Sequence, residues 1–84
     1  MWYVYVIKSK EREFMYIGST NDLNRRITEH DIGLSLSTKA YRPFEMLCYV
    51  AVRTEEQARS LERYFKTGSG KAILYKRIVQ RENI

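Results

Sequence analysis

The chain has 84 residues, of which 44% are hydrophobic and 30% are charged, so its composition is that of a folded domain and not of a disordered segment. This length predicts a single domain over residues 1–84. Fifteen lysines and arginines against ten acidic residues give a net charge of +5, which favours an acidic partner such as nucleic acid or an anionic membrane surface.

The single cysteine, Cys48, and the single histidine, His30, limit the possible metal chemistry. They exclude a disulfide within the chain and metal sites built from several cysteines or histidines, so any metal must rest mainly on oxygen ligands. No apolar run reaches the ~18 residues that a membrane span needs. The N-terminus also lacks the pattern of a signal peptide. We therefore expect a cytoplasmic protein with no membrane partner.

The first two predicted elements are strands at residues 2–7 and 13–19, which are rich in β-branched and aromatic side chains. A polar four-residue loop at 9–12 would pair Lys8 with Glu13 and would set Tyr5 directly opposite Tyr16. Side chains alternate between the two faces of a strand, so one face is predicted to be aromatic and the other aliphatic. These two sets are Tyr3, Tyr5, Phe14 and Tyr16, and Val4, Val6, Met15 and Ile17.

A helix and a third strand are predicted next. Asn21 or Asp22 can cap the start of the helix, and Gly33 can end it. Arg26 and His30 lie four residues apart and therefore share one face of this helix. A polar segment then leads to a third strand at residues 44–53.

A second helix is predicted after Thr54, which forms a capping-box pattern with Gln57, and Gly68 is expected to end it. A short last helix is predicted at about residues 71–80. The resulting order is β-β-α-β-α-α, without the alternation typical of parallel sheets. It predicts an α+β fold in which helices flank a small three-stranded antiparallel sheet.

Glu62 lies at the edge of the apolar stripe of the second predicted helix. A carboxylate there must be paired, solvated or bound to a metal ion, and an ion pair with Lys66 is the simplest alternative to a metal. The tyrosines have a similar alternative, because a strand tyrosine usually serves packing.

Taken together, five residues suit metal-assisted phosphodiester chemistry: Tyr5, Tyr16, Arg26, His30 and Glu62. The arginine would neutralise a phosphate and the carboxylate would hold a divalent ion. A phenol or the imidazole would handle the proton.

The same residues resemble the motifs of the GIY-YIG nuclease superfamily. Tyr3-Val4-Tyr5 and Tyr16-Ile17-Gly18 are similar to its paired strand motifs, and Arg26 and His30 follow Tyr16 at the spacing of its helix. The later segments, from Thr38-Lys39 and Arg42-Pro43 to the Gly68-Ser69-Gly70 ending, resemble its short single-domain bacterial members.

The resemblance implies a metal-dependent endonuclease that hydrolyses DNA, in a setting such as DNA repair or recombination. It implies catalytic roles for Tyr5, Tyr16, Arg26, His30 and Glu62, with one Mg²⁺ or Mn²⁺ held by Glu62. We expect four basic residues to contact DNA: Lys39, Arg42, Lys66 and Lys71.

Two features depart from the family pattern. The glycine and isoleucine of its first motif are Tyr3 and Val4 here, which changes packing more than chemistry. Many members carry an asparagine about twelve to fifteen residues after the metal-binding glutamate, whereas positions 74–77 here are Leu, Tyr, Lys and Arg. Asn83 is too far along the chain, and Ser69 or Lys71 could take its place. This departure keeps two alternatives open, namely a nucleic-acid-binding module without cleavage and a protein-interaction domain that uses the aromatic face.

Overall fold

The computed structural model describes residues 1–79, and its elements follow the predicted order. The strands are β1 (Trp2–Ser9), β2 (Met15–Thr20) and β3 (Phe44–Val52), and the helices are α1 (Leu23–Asp31), α2 (Glu55–Phe65) and α3 (Gly68–Ile73). A 3-10 turn at Lys39–Tyr41 precedes β3, and α3 continues into a π-helical turn at Leu74–Ile78. The predicted α+β fold is confirmed. The end of the last predicted helix, at residue 80, and Asn83 lie outside the described residues.

The three strands form one antiparallel sheet in the order β2-β1-β3, so β1 is central and β2 is an edge strand. On one face of the sheet, Val4 and Val6 pack with residues of α2 and the last turns, including Ala58, Phe65 and Leu74. The other face packs against α1 through residues that are mostly aromatic, namely Tyr5, Ile7, Phe14, Tyr16, Leu23, Ile27 and Phe44. The predicted division into an aliphatic and an aromatic face is confirmed. No helix within residues 1–79 is long and apolar enough to cross a bilayer.

The predicted register of the first hairpin is wrong by two residues. Tyr5 lies opposite Gly18 instead of Tyr16, and Lys8 does not pair with Glu13. A shift of two residues leaves every side chain on its own face, because the side-chain period of a strand is two. Tyr5 and Tyr16 therefore share a face as diagonal neighbours and not as a directly opposed pair.

The hairpin loop is longer than predicted, and Ser9 makes hydrogen bonds at its start. Its hydroxyl oxygen accepts hydrogen bonds from the backbone N–H groups of Glu11 and Arg12, at 3.2 and 3.0 Å. Its own N–H donates to the carbonyl of Phe14 at 2.9 Å. The loop between the paired residues Lys8 and Met15 thus spans residues 9–14 instead of the predicted 9–12.

The predicted start and end signals of α1 are confirmed. Asp22 is the N-cap, and its carboxylate accepts a hydrogen bond from the backbone N–H of Arg25 at 3.1 Å. Gly33 follows the helix with a φ of 84°, in the left-handed region that favours glycine. These two signals fix the span along which the side chains of α1 meet the sheet.

The start of α2 also agrees with the sequence, but its end does not. Thr54 caps the helix in a full capping box with Gln57. Gly68 does not end α2, which stops at Phe65; instead Thr67 caps α3, and Gly68 is the first residue of that helix. A side chain at Gly70 would collide with the backbone carbonyl of Tyr64, so the glycine allows α3 to pack tightly against the end of α2.

Candidate functional site

Tyr5 forms the floor of the candidate site. It lies in the central strand with its side chain turned toward α1, and only 1% of its surface is exposed. Gly18 makes room for it, because a Cβ at that position would lie 2.6 Å from the Tyr5 hydroxyl oxygen and 2.9 Å from the Tyr16 ring. The glycine of the Tyr16-Ile17-Gly18 motif thus allows the two tyrosine rings to lie close together, with their centroids 6.2 Å apart.

His30 connects Tyr5 to the loop after α1. Its side chain is fully buried in the last turn of α1, and its Nε2 lies 2.8 Å from the Tyr5 hydroxyl oxygen. Its Nδ1 lies 2.8 Å from the hydroxyl oxygen of Thr38, which is also fully buried. The Thr38 hydroxyl can itself donate to the Ser35 carbonyl at 3.5 Å. This direction favours the tautomer in which Nδ1–H donates to Thr38 and Nε2 accepts the Tyr5 proton.

Burial keeps both members of this pair neutral. It lowers the pKa of His30, and the positive charge of Arg26 lowers it further. Burial and the neighbouring Tyr16 raise the pKa of Tyr5 to about 12, against an opposing effect of Arg26. At pH 7 Tyr5 is therefore a hydrogen-bonding group with a firmly held proton.

Tyr16 and Arg26 form the more accessible part of the site. Tyr16 is half-buried, and its ring centroid lies 5.1 Å from that of His30. The half-buried Arg26 donates a hydrogen bond to Glu29 at 3.0 Å, and its charge also acts on Tyr5. The prediction that Arg26 and His30 share one face of α1 is confirmed, since both side chains act on Tyr5.

Glu62 lies on α2, against the face of the sheet opposite to α1, and contacts the edge strand β2. Its Oε1 accepts a hydrogen bond from the Ser19 hydroxyl at 2.7 Å, and its Oε2 accepts one from the Lys66 Nζ at 2.8 Å. Burial alone would raise the pKa of Glu62, but these hydrogen bonds and the charge of Lys66 lower it. The carboxylate is thus ionised at pH 7, and its charge also contributes to the raised pKa of Tyr5.

The donor set fits a hard divalent ion with a largely aqueous shell. Residues 1–79 contain no group of three or more His, Cys, Asp or Glu side chains that could hold a metal ion. Glu62 offers an ionised oxygen ligand on a side chain that is 20% exposed, so water can complete a coordination shell. The ion pair with Lys66, which the sequence offered as the alternative to a metal, is present.

The four expected DNA-contacting residues fall into two pairs. Lys66 and Lys71 line a groove of about 210 Å³ together with Tyr16. Lys39 and Arg42 lie on the exposed turn before β3, where the Arg42 Nε donates to the Lys39 carbonyl at 3.1 Å. The first pair adjoins the site, whereas the second forms a separate basic patch.

The positions that could replace the family asparagine also differ in location. Lys71 lies in the groove beside Tyr16, whereas Ser69 lines a different pocket that also includes Tyr64 and Lys76. Leu74, the first of the positions where an asparagine is expected, is fully buried in the core. Only Lys71 of the two candidates therefore adjoins the site.

Sequence reasoning assigned no role in the site to Ser19 or Thr38, although Thr38 lies in a segment that resembles the family. Ser19 is 43 positions from Glu62, and Thr38 is eight positions from His30 on an irregular segment. No helical or strand period links either pair, so only the tertiary structure reveals them.

Comparison with known proteins shows the family to which the chain belongs. The GIY-YIG catalytic domain matches residues 1–77. Over 65 residues the chain is 37% identical to the UPF0213 protein YazA of Bacillus subtilis, covering 76% of this chain and 65% of that protein, slightly less than two thirds. It is 36% identical over 70 residues to a UPF0213 protein of Bacillus pumilus, covering 82% of this chain and 70% of the relative. It is 34% identical over 67 residues to the UPF0213 protein CPE1444 of Clostridium perfringens, covering 79% and 71%. No solved structure matches the chain significantly.

Proposed function

Because the chain belongs to the GIY-YIG catalytic domain family, we propose that it is an endonuclease that hydrolyses DNA phosphodiester bonds with one divalent metal ion. The observation that carries this proposal is that Tyr16 lies beside the buried Tyr5 while Glu62 is fixed to the neighbouring edge strand. The ring centroids of Tyr5 and Tyr16 are 6.2 Å apart, and the Glu62 carboxylate accepts a hydrogen bond from Ser19, the residue after Gly18, which lies opposite Tyr5. The charge of Arg26, on the helix that carries His30, also acts on the pKa of Tyr5. The exposed rim of this cluster is the reaction site.

The two tyrosines have different roles in this proposal. Tyr16 is accessible and lines the basic groove, so it contacts the substrate and orients the attacking water. Tyr5 is buried and hydrogen-bonded to His30, so it acts as a positioning residue together with that histidine. Its raised pKa, about 12, argues against Tyr5 as the general base.

Arg26 neutralises the charge that develops on the phosphate in the transition state. Its guanidinium is oriented in advance by a 3.0 Å hydrogen bond to Glu29 and lies beside the phenol of Tyr5. Arg25, the next residue on the helix, is more exposed and lies 3.8 Å from the same Glu29. These two arginines therefore differ in position and provide a matched comparison.

Glu62 would hold the metal ion, Mg²⁺ or Mn²⁺. Such an ion, when bound, stabilises negative charge on the phosphate and lowers the pKa of a bound water. The role of the protein is to present an ionised carboxylate in a fixed orientation, which the Ser19 hydroxyl supports.

DNA would follow the groove at the edge of β2. Lys66 and Lys71 line this groove and can contact phosphates on the approach to Tyr16. Lys39 and Arg42 would contact the backbone further along the duplex. A cytoplasmic role in DNA repair or recombination suits this activity.

The test is nicking of a supercoiled plasmid with Mg²⁺ or Mn²⁺, with EDTA as the blank. We expect cleavage by the wild-type chain and none by Glu62→Gln, which removes the charge and keeps the shape. The matched control is Glu56→Gln, an exposed position on the same helix, which should cleave normally. Equal cleavage by both variants would contradict the proposal.

The strongest alternative is a nucleic-acid-binding module without cleavage. Leu74 favours this alternative, because it is a buried apolar residue at the first of the positions where the family pattern has an asparagine. Its signature is a salt-dependent gel shift of DNA without nicking at any metal concentration. A protein-interaction domain would show neither nicking nor a shift.

A further inference from the structure

The ammonium group of Lys66 lies in the position beside the Glu62 carboxylate that a bound metal ion would take. Its Nζ lies 2.8 Å from Oε2, while the Ser19 hydroxyl lies 2.7 Å from Oε1. Ser19 is an uncharged donor and can stay in place beside a metal ion. Lys66 carries a full positive charge and cannot do so without repulsion.

We propose that Lys66 is a built-in counter-cation of Glu62, which a divalent metal ion must displace, so that Lys66 sets the affinity and the threshold concentration for the metal. The inference rests on the proposed function, which assigns the metal to Glu62. It adds that the metal-free protein already neutralises this carboxylate with its own side chain.

The contacts support a displaceable partner. The Lys66 side chain is 51% exposed, whereas that of Glu62 is 20% exposed, so the lysine can leave while the carboxylate stays fixed. A divalent ion binds a carboxylate oxygen at about 2.0–2.6 Å, closer than the ammonium lies, and therefore takes over its position. Lys66 also lines the groove with Lys71, so the displaced ammonium has an open space beside it.

The size of the effect follows from Coulomb's law. A monovalent and a divalent cation about 5 Å apart in a water-like medium repel each other enough to weaken binding roughly tenfold. Removing the Lys66 charge should therefore raise the affinity for the metal by about that factor. Removing the Lys71 charge should change it less, because Lys66 is the lysine whose ammonium directly contacts the Glu62 carboxylate, at 2.8 Å.

The experiment measures binding of Mn²⁺ alone to the full chain, without DNA, from the electron paramagnetic resonance signal of free Mn²⁺ at pH 7.5. We expect Lys66→Met to bind Mn²⁺ about tenfold more tightly than the wild type and Lys66→Arg to bind it like the wild type. Lys71→Met, which removes the same charge from the same groove, should change the affinity at most about threefold. Far-UV circular dichroism verifies that each variant is folded.

Glu62→Gln separates this inference from the proposed function. Loss of Mn²⁺ binding in Glu62→Gln, with equal affinities for the two methionine variants, would overturn the role of Lys66 and leave the metal site intact. Binding to Glu62→Gln at wild-type strength would overturn the metal site itself, whatever the plasmid assay shows. Tighter binding only in Lys66→Met, together with its loss in Glu62→Gln, supports the inference.

Discussion

Replacing Tyr5 by Phe should destabilise the protein, although it removes only one oxygen atom. The phenylalanine ring keeps the apolar contacts of Tyr5, but it leaves the Nε2 of His30 without the hydroxyl that lies 2.8 Å away. His30 is fully buried, so water cannot replace the lost partner. Every buried side-chain nitrogen and oxygen atom within residues 1–79 has a hydrogen-bond partner, and this substitution would create an exception.

The expected loss follows from the cost of an unsatisfied buried polar group, about 1–3 kcal/mol. A chain of this length has a total stability of roughly 4–12 kcal/mol, so the loss is a sizeable share of it. For a domain of this size, about 1 kcal/mol corresponds to roughly 4–8 °C in melting temperature. Tyr5→Phe should therefore melt at least about 4 °C below the wild type.

Tyr16→Phe is the matched control, because it removes the same atom from a half-buried ring on the same sheet face. Thermal and urea unfolding should show it to be within about 0.5 kcal/mol of the wild type, as is usual for accessible positions. In the proposed mechanism it should nevertheless lower cleavage by roughly a hundredfold. Equal stability of Tyr5→Phe and the wild type would refute the hydrogen-bonded pair of Tyr5 and His30.

Two further predictions concern α1. Arg26→Ala should raise the barrier to cleavage by about 2–4 kcal/mol in single-turnover assays, as expected for the loss of one pre-oriented electrostatic donor. Arg25→Ala should have a much smaller effect. Equal losses of activity in the two variants would indicate that only general positive charge matters. The protein should lose stability as the pH falls from about 7 through 6, because the lowered pKa of His30 means that the unfolded chain binds a proton more readily than the folded chain does. His30 is the only histidine, so urea unfolding at pH 7.5 and 5.5 tests this directly, and a stability that rises toward pH 5.5 would contradict the buried neutral imidazole.

The sequence by itself determined which side chains share a face and where the first two helices begin. Alternation along a strand is a local property, so Tyr5 and Tyr16 could be assigned to one face before their pairing was known. The caps of α1 and α2 are equally local, because Asp22 and Thr54 bond to backbone groups within three residues. The family motifs added the identity of the candidate residues, which lie on these elements.

Register, hydrogen-bond partners and proximity across the sheet depended on the tertiary structure. A two-residue slip preserves every face, so the alternating pattern cannot distinguish Tyr5 opposite Tyr16 from Tyr5 opposite Gly18, and only the folded hairpin shows which pairing is formed. The neutral state of His30 likewise depends on burial. Glu62 reaches the edge strand only because the fold packs α2 against β2, where its carboxylate accepts a hydrogen bond from Ser19, 43 positions away in the chain. Strand order arises from long-range packing, and no spacing along the chain encodes it.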